Sequence, residues 1–145
     1  MRFFTVVVWK TLILFFALFC VRLEAGQLTA FRSDECSVFP EGTLQQQKLW
    51  RDCCVEHDKA YWAGGTFQQR LVADQALKSC VEAEGKPAIA MIMMLGVRLG
   101  GAPLLPTSFR WGYGWPYPRP YGALSQEEQS LVKAGLQRYE RENAK

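Results

Sequence analysis

The single histidine of this 145-residue chain, His57, lies in the run Cys53-Cys54-Val55-Glu56-His57-Asp58-Lys59-Ala60-Tyr61. An imidazole is the side chain best suited to exchange a proton near neutral pH, so the residues around it decide what His57 can do. On a helix, which turns about 100° per residue, Cys53, His57 and Tyr61 fall at about 0°, 40° and 80° and share a face; Cys54 and Asp58, at about 100° and 140°, form the neighbouring row. One row carries a thiol, an imidazole and a phenol, the other a thiol and a carboxylate. A lone helical histidine is more often structural than catalytic. Asp58 beside it, the paired cysteines and the position of Asp74 farther along point the other way.

The flanking sequence supplies the elements that must hold these groups. Thr43 and Gln46 form a capping box, predicting a helix from Leu44 to about Trp62, ended by Gly64-Gly65. Thr66 and Gln69 repeat the pattern before a second helix, roughly Phe67 to Glu82, stopped by Gly85 and Pro87. A loop this short makes the two helices antiparallel neighbours. Beyond residue 25 the chain keeps four cysteines, Cys36, Cys53, Cys54 and Cys80. Adjacent Cys53 and Cys54 point in directions about 100° apart on a helix and do not suit each other, which leaves two pairings open. If Cys53 joins Cys80, a rise of about 1.5 Å per residue puts His57 about 6 Å and Tyr61 about 12 Å from the bridge, with Asp74 between them at about 9 Å. A carboxylate there can accept from the imidazole on one side and the phenol on the other, fixing the tautomer and leaving the second ring nitrogen free as a base.

The rest of the chain reads as scaffold. Residues 26–42 are an irregular lead-in. Ala88 to Val97 is a short apolar run, read as a third, core helix, followed by Arg98. From Gly100 to Gly122 proline, glycine and aromatic residues exclude a helix. The rings of Phe109, Trp111, Tyr113, Trp115, Tyr117 and Tyr121 suit either a lipid–water interface or a cover for the core, the second being favoured; Arg110 and Arg119 are candidates for lipid phosphates. Ser125 and Glu128 form a third capping box, opening a terminal helix whose apolar face is Leu131, Val132, Leu136 and Tyr139.

The length allows one ordinary domain. Residues 1–25 have the layout of a secretory signal peptide, with Arg2 and Lys10, an apolar run from Leu12 to Val21, and small residues at Ala25-Gly26. The alternative is an uncleaved anchor through residues 3–22. These residues carry three of the 17 basic and one of the 14 acidic side chains, so the remainder has a net charge of +1 and charge gives nucleic-acid binding no support. An even number of cysteines behind an export signal favours two disulfides in an oxidising compartment: an exported protein, secreted or periplasmic.

The pattern Cys53-Cys54-x-x-His57-Asp58-x-x-Tyr61, with Ala73-Asp74 six residues before Cys80, resembles the active-site helices of secreted, calcium-dependent phospholipase A2; the likeness spans about Cys36 to Cys80. It implies an all-α fold of phospholipase A2 type, with two long antiparallel disulfide-linked helices plus shorter helices and an irregular aromatic-rich segment. Residues 26–105 are then the core, and 106–145 the aromatic-rich segment and C-terminal helix. The resemblance implies His57 as the base that activates water, Asp74 as its orienter with Tyr61 beside it, and disulfides Cys36–Cys54 and Cys53–Cys80. It implies Ca²⁺ held by Asp58 with the backbone carbonyls of Glu35, Ser37 and Phe39, and a phospholipid or membrane surface as partner. The family's calcium loop is glycine-rich, whereas here it reads Cys36-Ser37-Val38-Phe39-Pro40-Glu41-Gly42, and Ser37 has to supply the oxyanion-hole amide that a glycine usually gives. Two other functions fit the same residues: a non-catalytic relative binding lipid or protein, and a structural envelope protein held by an N-terminal anchor.

Overall fold

The structure, a computed structural model, describes residues 27–144, so the leader or anchor expected in residues 1–25 lies outside the described residues. Those residues are all-helical, with no strand: α1 (Arg51–Ala63), α2 (Phe67–Ala83), α3 (Pro87–Gly100) and α4 (Gln126–Asn143). Among them no helix is long and apolar enough to cross a membrane.

Helix α1 starts seven residues later than its sequence predicts. The Thr43 hydroxyl does accept from the Gln46 amide at 3.0 Å, but the Thr43 amide donates back to the Gln46 carbonyl at 2.9 Å, closing a turn instead of opening a helix. Trp50 completes the loop: its amide donates to the Glu41 carbonyl (3.0 Å) and its indole Nε1 to that of Pro40 (2.6 Å). With those groups committed, Arg51 is the first helical residue, and Trp50 before it provides no side-chain cap.

The other two capping boxes form as their sequences predict. At α2 the Thr66 hydroxyl accepts from the Gln69 amide (3.2 Å) and the Gln69 side chain accepts from the Thr66 amide (2.8 Å). Ser125 and Glu128 repeat this at α4. At 18 residues α4 is the longest of the four helices and α1, at 13, the shortest, reversing the expected lengths. The covered face of α4 is the expected one except at Leu131. Leu131 is exposed, while Val132, Gly135, Leu136 and Tyr139 are half-buried. Gly135 sits where any Cβ would come within 2.5 Å of the Trp62 ring, so the missing side chain lets α4 lie against that indole.

Two disulfides bracket the start of α1. Cys53 bonds Cys80, tying the first turn of α1 to the end of α2 and making them antiparallel; Cys54 bonds Cys36, tying the same turn to the lead-in. Such bonds form and persist in oxidising compartments. Around them Trp50, Leu77, Val81, Ala90 and Met93 close a core between α1, α2 and α3. A second group fills the other end of α1, where fully buried Trp62 meets Phe31 edge to face at 5.5 Å and Trp111 and Trp115 lie beneath the surface. The aromatic-rich segment is therefore largely a core cover. Its indoles also satisfy carbonyls at the end of α1: Trp111 Nε1 donates to Gly65 (2.9 Å) and Trp115 Nε1 to Ala63 (2.7 Å).

The chain turns out of α1 at Gly64 (φ 70°), and an added Cβ there would stand 2.9 Å from the Cα of Gly112. Both positive φ and this backbone crossing call for glycine. Arg110 and Arg119 serve the segment itself. Arg110 is buried and donates to the carbonyls of Gly112 (2.8 Å) and Trp115 (2.7 Å); Arg119 pairs with Glu128 at 2.9 Å.

The Cys53–Cys80 link closes a loop of 27 residues that carries both helices of the site. Replacing both cysteines by alanine is expected to cost about 3 kcal/mol, in the range for a loop of this size. Urea unfolding followed by tryptophan fluorescence measures it.

Candidate functional site

The antiparallel pairing brings His57, Tyr61 and Asp74 together. Asp74, on α2, has no exposed surface, and its Oδ1 accepts twice: from His57 Nε2 at 3.1 Å and from the Tyr61 hydroxyl at 2.7 Å. A carboxylate facing Nε2 requires the proton on that nitrogen, so Nδ1 carries the lone pair; it has no hydrogen-bond partner among the described residues. The rings of His57 and Tyr61 lie 4.2 Å apart, and the edge of Trp111 closes on Tyr61 at 5.1 Å. Burial raises the Tyr61 phenol well above its ordinary value, against the opposing pull of Arg70, so Tyr61 stays a donor to Asp74.

Two arginines join this group that spacing alone did not single out. Arg70 is buried one helical turn before Asp74. It donates to the Tyr61 hydroxyl (3.0 Å), to Tyr121 (2.5 Å) and to the Val97 and Arg98 carbonyls (2.8 and 2.9 Å) at the end of α3. Arg98 Nε stands 2.6 Å from Asp74 Oδ2, but off the direction of the N–H bond, so the contact joins charges without a hydrogen bond. The i, i+4 spacing of Arg70 and Asp74 is a sequence signal for the first. Arg98 had none, because only the packing of α3 on α2 brings it there.

His57 and Tyr61 open on a cavity of about 300 Å³. Its walls are mainly apolar, with Leu77, Phe109, Val38, Phe39, Ile92 and Val97 among the lining residues. Asp58, Glu35 and Ser37 line the same cavity, so the residues singled out from the sequence share one space, with Asp74 directly behind it.

Asp58 projects from the neighbouring row of α1 as the 100° spacing requires. It is buried, and Ser33 Oγ donates to its Oδ2 at 2.5 Å. Burial, with the charge of Asp34 adding to it and the Ser33 hydrogen bond opposing, pushes its carboxyl up to about 7. Among the described residues no cation side chain pairs with it.

The carbonyls of Asp34, Cys36 and Pro40 accept from Ser37, Phe39 and Trp50, whereas those of Glu35, Ser37 and Phe39 accept no hydrogen bond among the described residues. Glu35 and Ser37 reach this arrangement at φ 62° and 54°, conformations that side-chain-bearing residues seldom adopt. The Glu35 carboxylate is held by Arg51 at 2.7 Å. Among the described residues no three His, Cys, Asp or Glu side chains converge as a metal site; the available donors are one carboxylate and three backbone oxygens. That is an all-oxygen set, the chemistry Ca²⁺ takes. The Ser37 amide turns back to the Asp34 carbonyl at 3.3 Å and so is not offered to an oxyanion, unlike the role the resemblance implies for it.

Comparison with protein-family models, with curated proteins and with solved structures finds no match for this chain.

Between the ordinary carboxyl value of 3.8 and about 7, the folded chain keeps a proton on Asp58 that the unfolded chain has released. Stability contributed by this group therefore falls as pH rises through that window. In chelator, the thermal midpoint of the wild type relative to Asp58→Asn is expected to drop from pH 4 to pH 7, as scanning calorimetry at several pH values will show.

Proposed function

We propose that this protein is an exported hydrolase of phospholipase A2 type that cuts an acyl ester of a glycerophospholipid with bound Ca²⁺. The observation that carries the reading is the His57–Asp74–Tyr61 hydrogen-bonded group opening on an apolar cavity. His57 Nδ1 takes a proton from water as the water attacks the ester carbonyl, and Asp74, hydrogen-bonded at Nε2, orients the ring and balances its charge while the proton is held. The proton then passes to the leaving alcohol. Tyr61 keeps Asp74 Oδ1 in place. When bound, Ca²⁺ supplies Lewis-acid polarisation of the ester and charge for the oxyanion; Asp58 and the carbonyls of Glu35, Ser37 and Phe39 would hold it.

The substrate class follows from the walls. A cavity lined by Leu77, Ile92, Val97 and Phe109 accepts an alkyl chain and offers little to a polar substrate. Exposed Val38 and Ile92 stand on its lining, and exposed Leu95 and Leu99 continue along α3, giving a lipid surface apolar side chains to meet. The buried tryptophans of the aromatic segment do not serve that purpose.

A second reading, a non-catalytic lipid-binding relative, is favoured by the Ser37 amide, which is committed to Asp34 and not offered to an oxyanion. Hydrolysis of phospholipid vesicles distinguishes the two. In the first reading fatty acid is released with Ca²⁺ and not with chelator, and His57→Gln lowers kcat by about 10²-fold or more. Vesicle binding without release of fatty acid selects the second.

A further inference from the structure

A fully buried carboxylate can serve as an orienter only if both of its oxygens are held. Asp74 Oδ1 is held by His57 and Tyr61, while Oδ2 faces Arg98 Nε at 2.6 Å and Arg70 Nε at 4.0 Å. Without a cation there, Oδ2 would lie in an enclosed site with no partner, a large penalty for a charged group. The carboxylate could then relieve itself in two ways, by rotating so that Oδ1 leaves His57 or by taking up a proton and donating it to Nε2. Either change removes the requirement that Nε2 carry the hydrogen, and with it the free lone pair on Nδ1.

Arg98 is placed to prevent both. It sits near the end of α3, where Arg70 donates to the carbonyl of Arg98 itself and to that of Val97, which also accepts from the Gly101 amide. Arg70 thus anchors the turn that bears Arg98 and also holds the Tyr61 hydroxyl. The guanidinium of Arg98 reaches Asp74 from a side chain 35 % exposed, so it comes in from the surface as a clamp and is not itself part of the cavity lining.

We propose that Arg98 is a positioning residue for the His57–Asp74 pair. By holding Asp74 Oδ2 it sets the rotation and charge of the carboxylate, and thereby the tautomer of His57. The role in turnover rests on the hydrolase reading above; the role in setting the tautomer does not.

Because His57 is the only histidine, ¹⁵N spectra of the ring are free of overlap and report the tautomer directly. At about pH 8.5, above the ordinary imidazole range, the wild type is expected to show the Nε2-protonated form alone. In Arg98→Met the Nδ1-protonated form appears beside it. Arg98→Gln, which keeps a polar side chain without the charge, is expected to behave likewise and carries the test should the methionine variant not fold. On vesicles, kcat falls about tenfold with little change in KM, the signature of a group that acts on the chemical step. A single unchanged tautomer in a folded Arg98 variant overturns the proposal, whatever the activity. A mixed tautomer in a protein whose wild type releases no fatty acid upholds the proposal and removes the hydrolase reading.

Discussion

Three helices meet at one carboxylate. Asp74 leaves α2 into a site with no solvent exposure, where α1 offers His57 and Tyr61 and α3 offers Arg98. Losing one partner of a buried ionic group typically costs about 3–5 kcal/mol, since the remaining charge has nowhere to go. The depth, register and rotation of all three helices are therefore coupled to a single side chain. Arg70 extends the constraint by binding the end of α3 and the Tyr61 hydroxyl together. Gly101 follows from it as well: any side chain there would strike the Tyr61 ring, so the exit from α3 must be bare.

Covalent links and aromatic rings divide the remaining work. At the start of α1, adjacent cysteines facing different directions bond to α2 and to the lead-in, so one turn of helix is fixed on two sides. At its other end there is no cross-link, and Trp62, Trp111 and Trp115 provide the packing while their indole N–H groups satisfy carbonyls of Thr29, Gly65 and Ala63. Each indole thus serves both as apolar volume and as a partner for backbone that has left regular structure. The site lies between these two ends, in the stretch of α1 that neither end leaves free to move.

The parts of the fold that were legible in the sequence were those set by local chemistry. Thr66 with Gln69 and Ser125 with Glu128 mark real helix starts because nothing nearby competes for their backbone groups. Thr43 with Gln46 carries the same signature and starts only a turn, because Trp50, seven residues on, binds back to Pro40 and Glu41, a contact no local pattern announces. Likewise the 100° spacing located His57, Tyr61 and Asp58 on their two rows, and a disulfide register located Asp74. Arg98 and Ser33 were not legible, since each reaches the site from an element whose packing is decided elsewhere. On α4, side-chain hydrophobicity pointed to Leu131, while the helix docks through Gly135, where contact depends on having no side chain.

That terminal helix differs from the other three in what holds it. No residue of α4 is fully buried, and its attachments are Gly135 on Trp62, Tyr139 edge to face with Phe31 at 4.6 Å, and ion pairs of Glu128 with Arg119 and Glu140 with Lys59. Few buried apolar contacts and an exposed hydrogen-bonded backbone are the marks of a unit that opens below the global unfolding free energy. Exchange of amide hydrogens should then be layered, with α4 losing protection first while the disulfide-linked pair and α3 retain theirs. The molecule is in this sense a cross-linked three-helix body carrying a latch, and the latch rests against Trp62, not on the His57–Asp74–Tyr61 group.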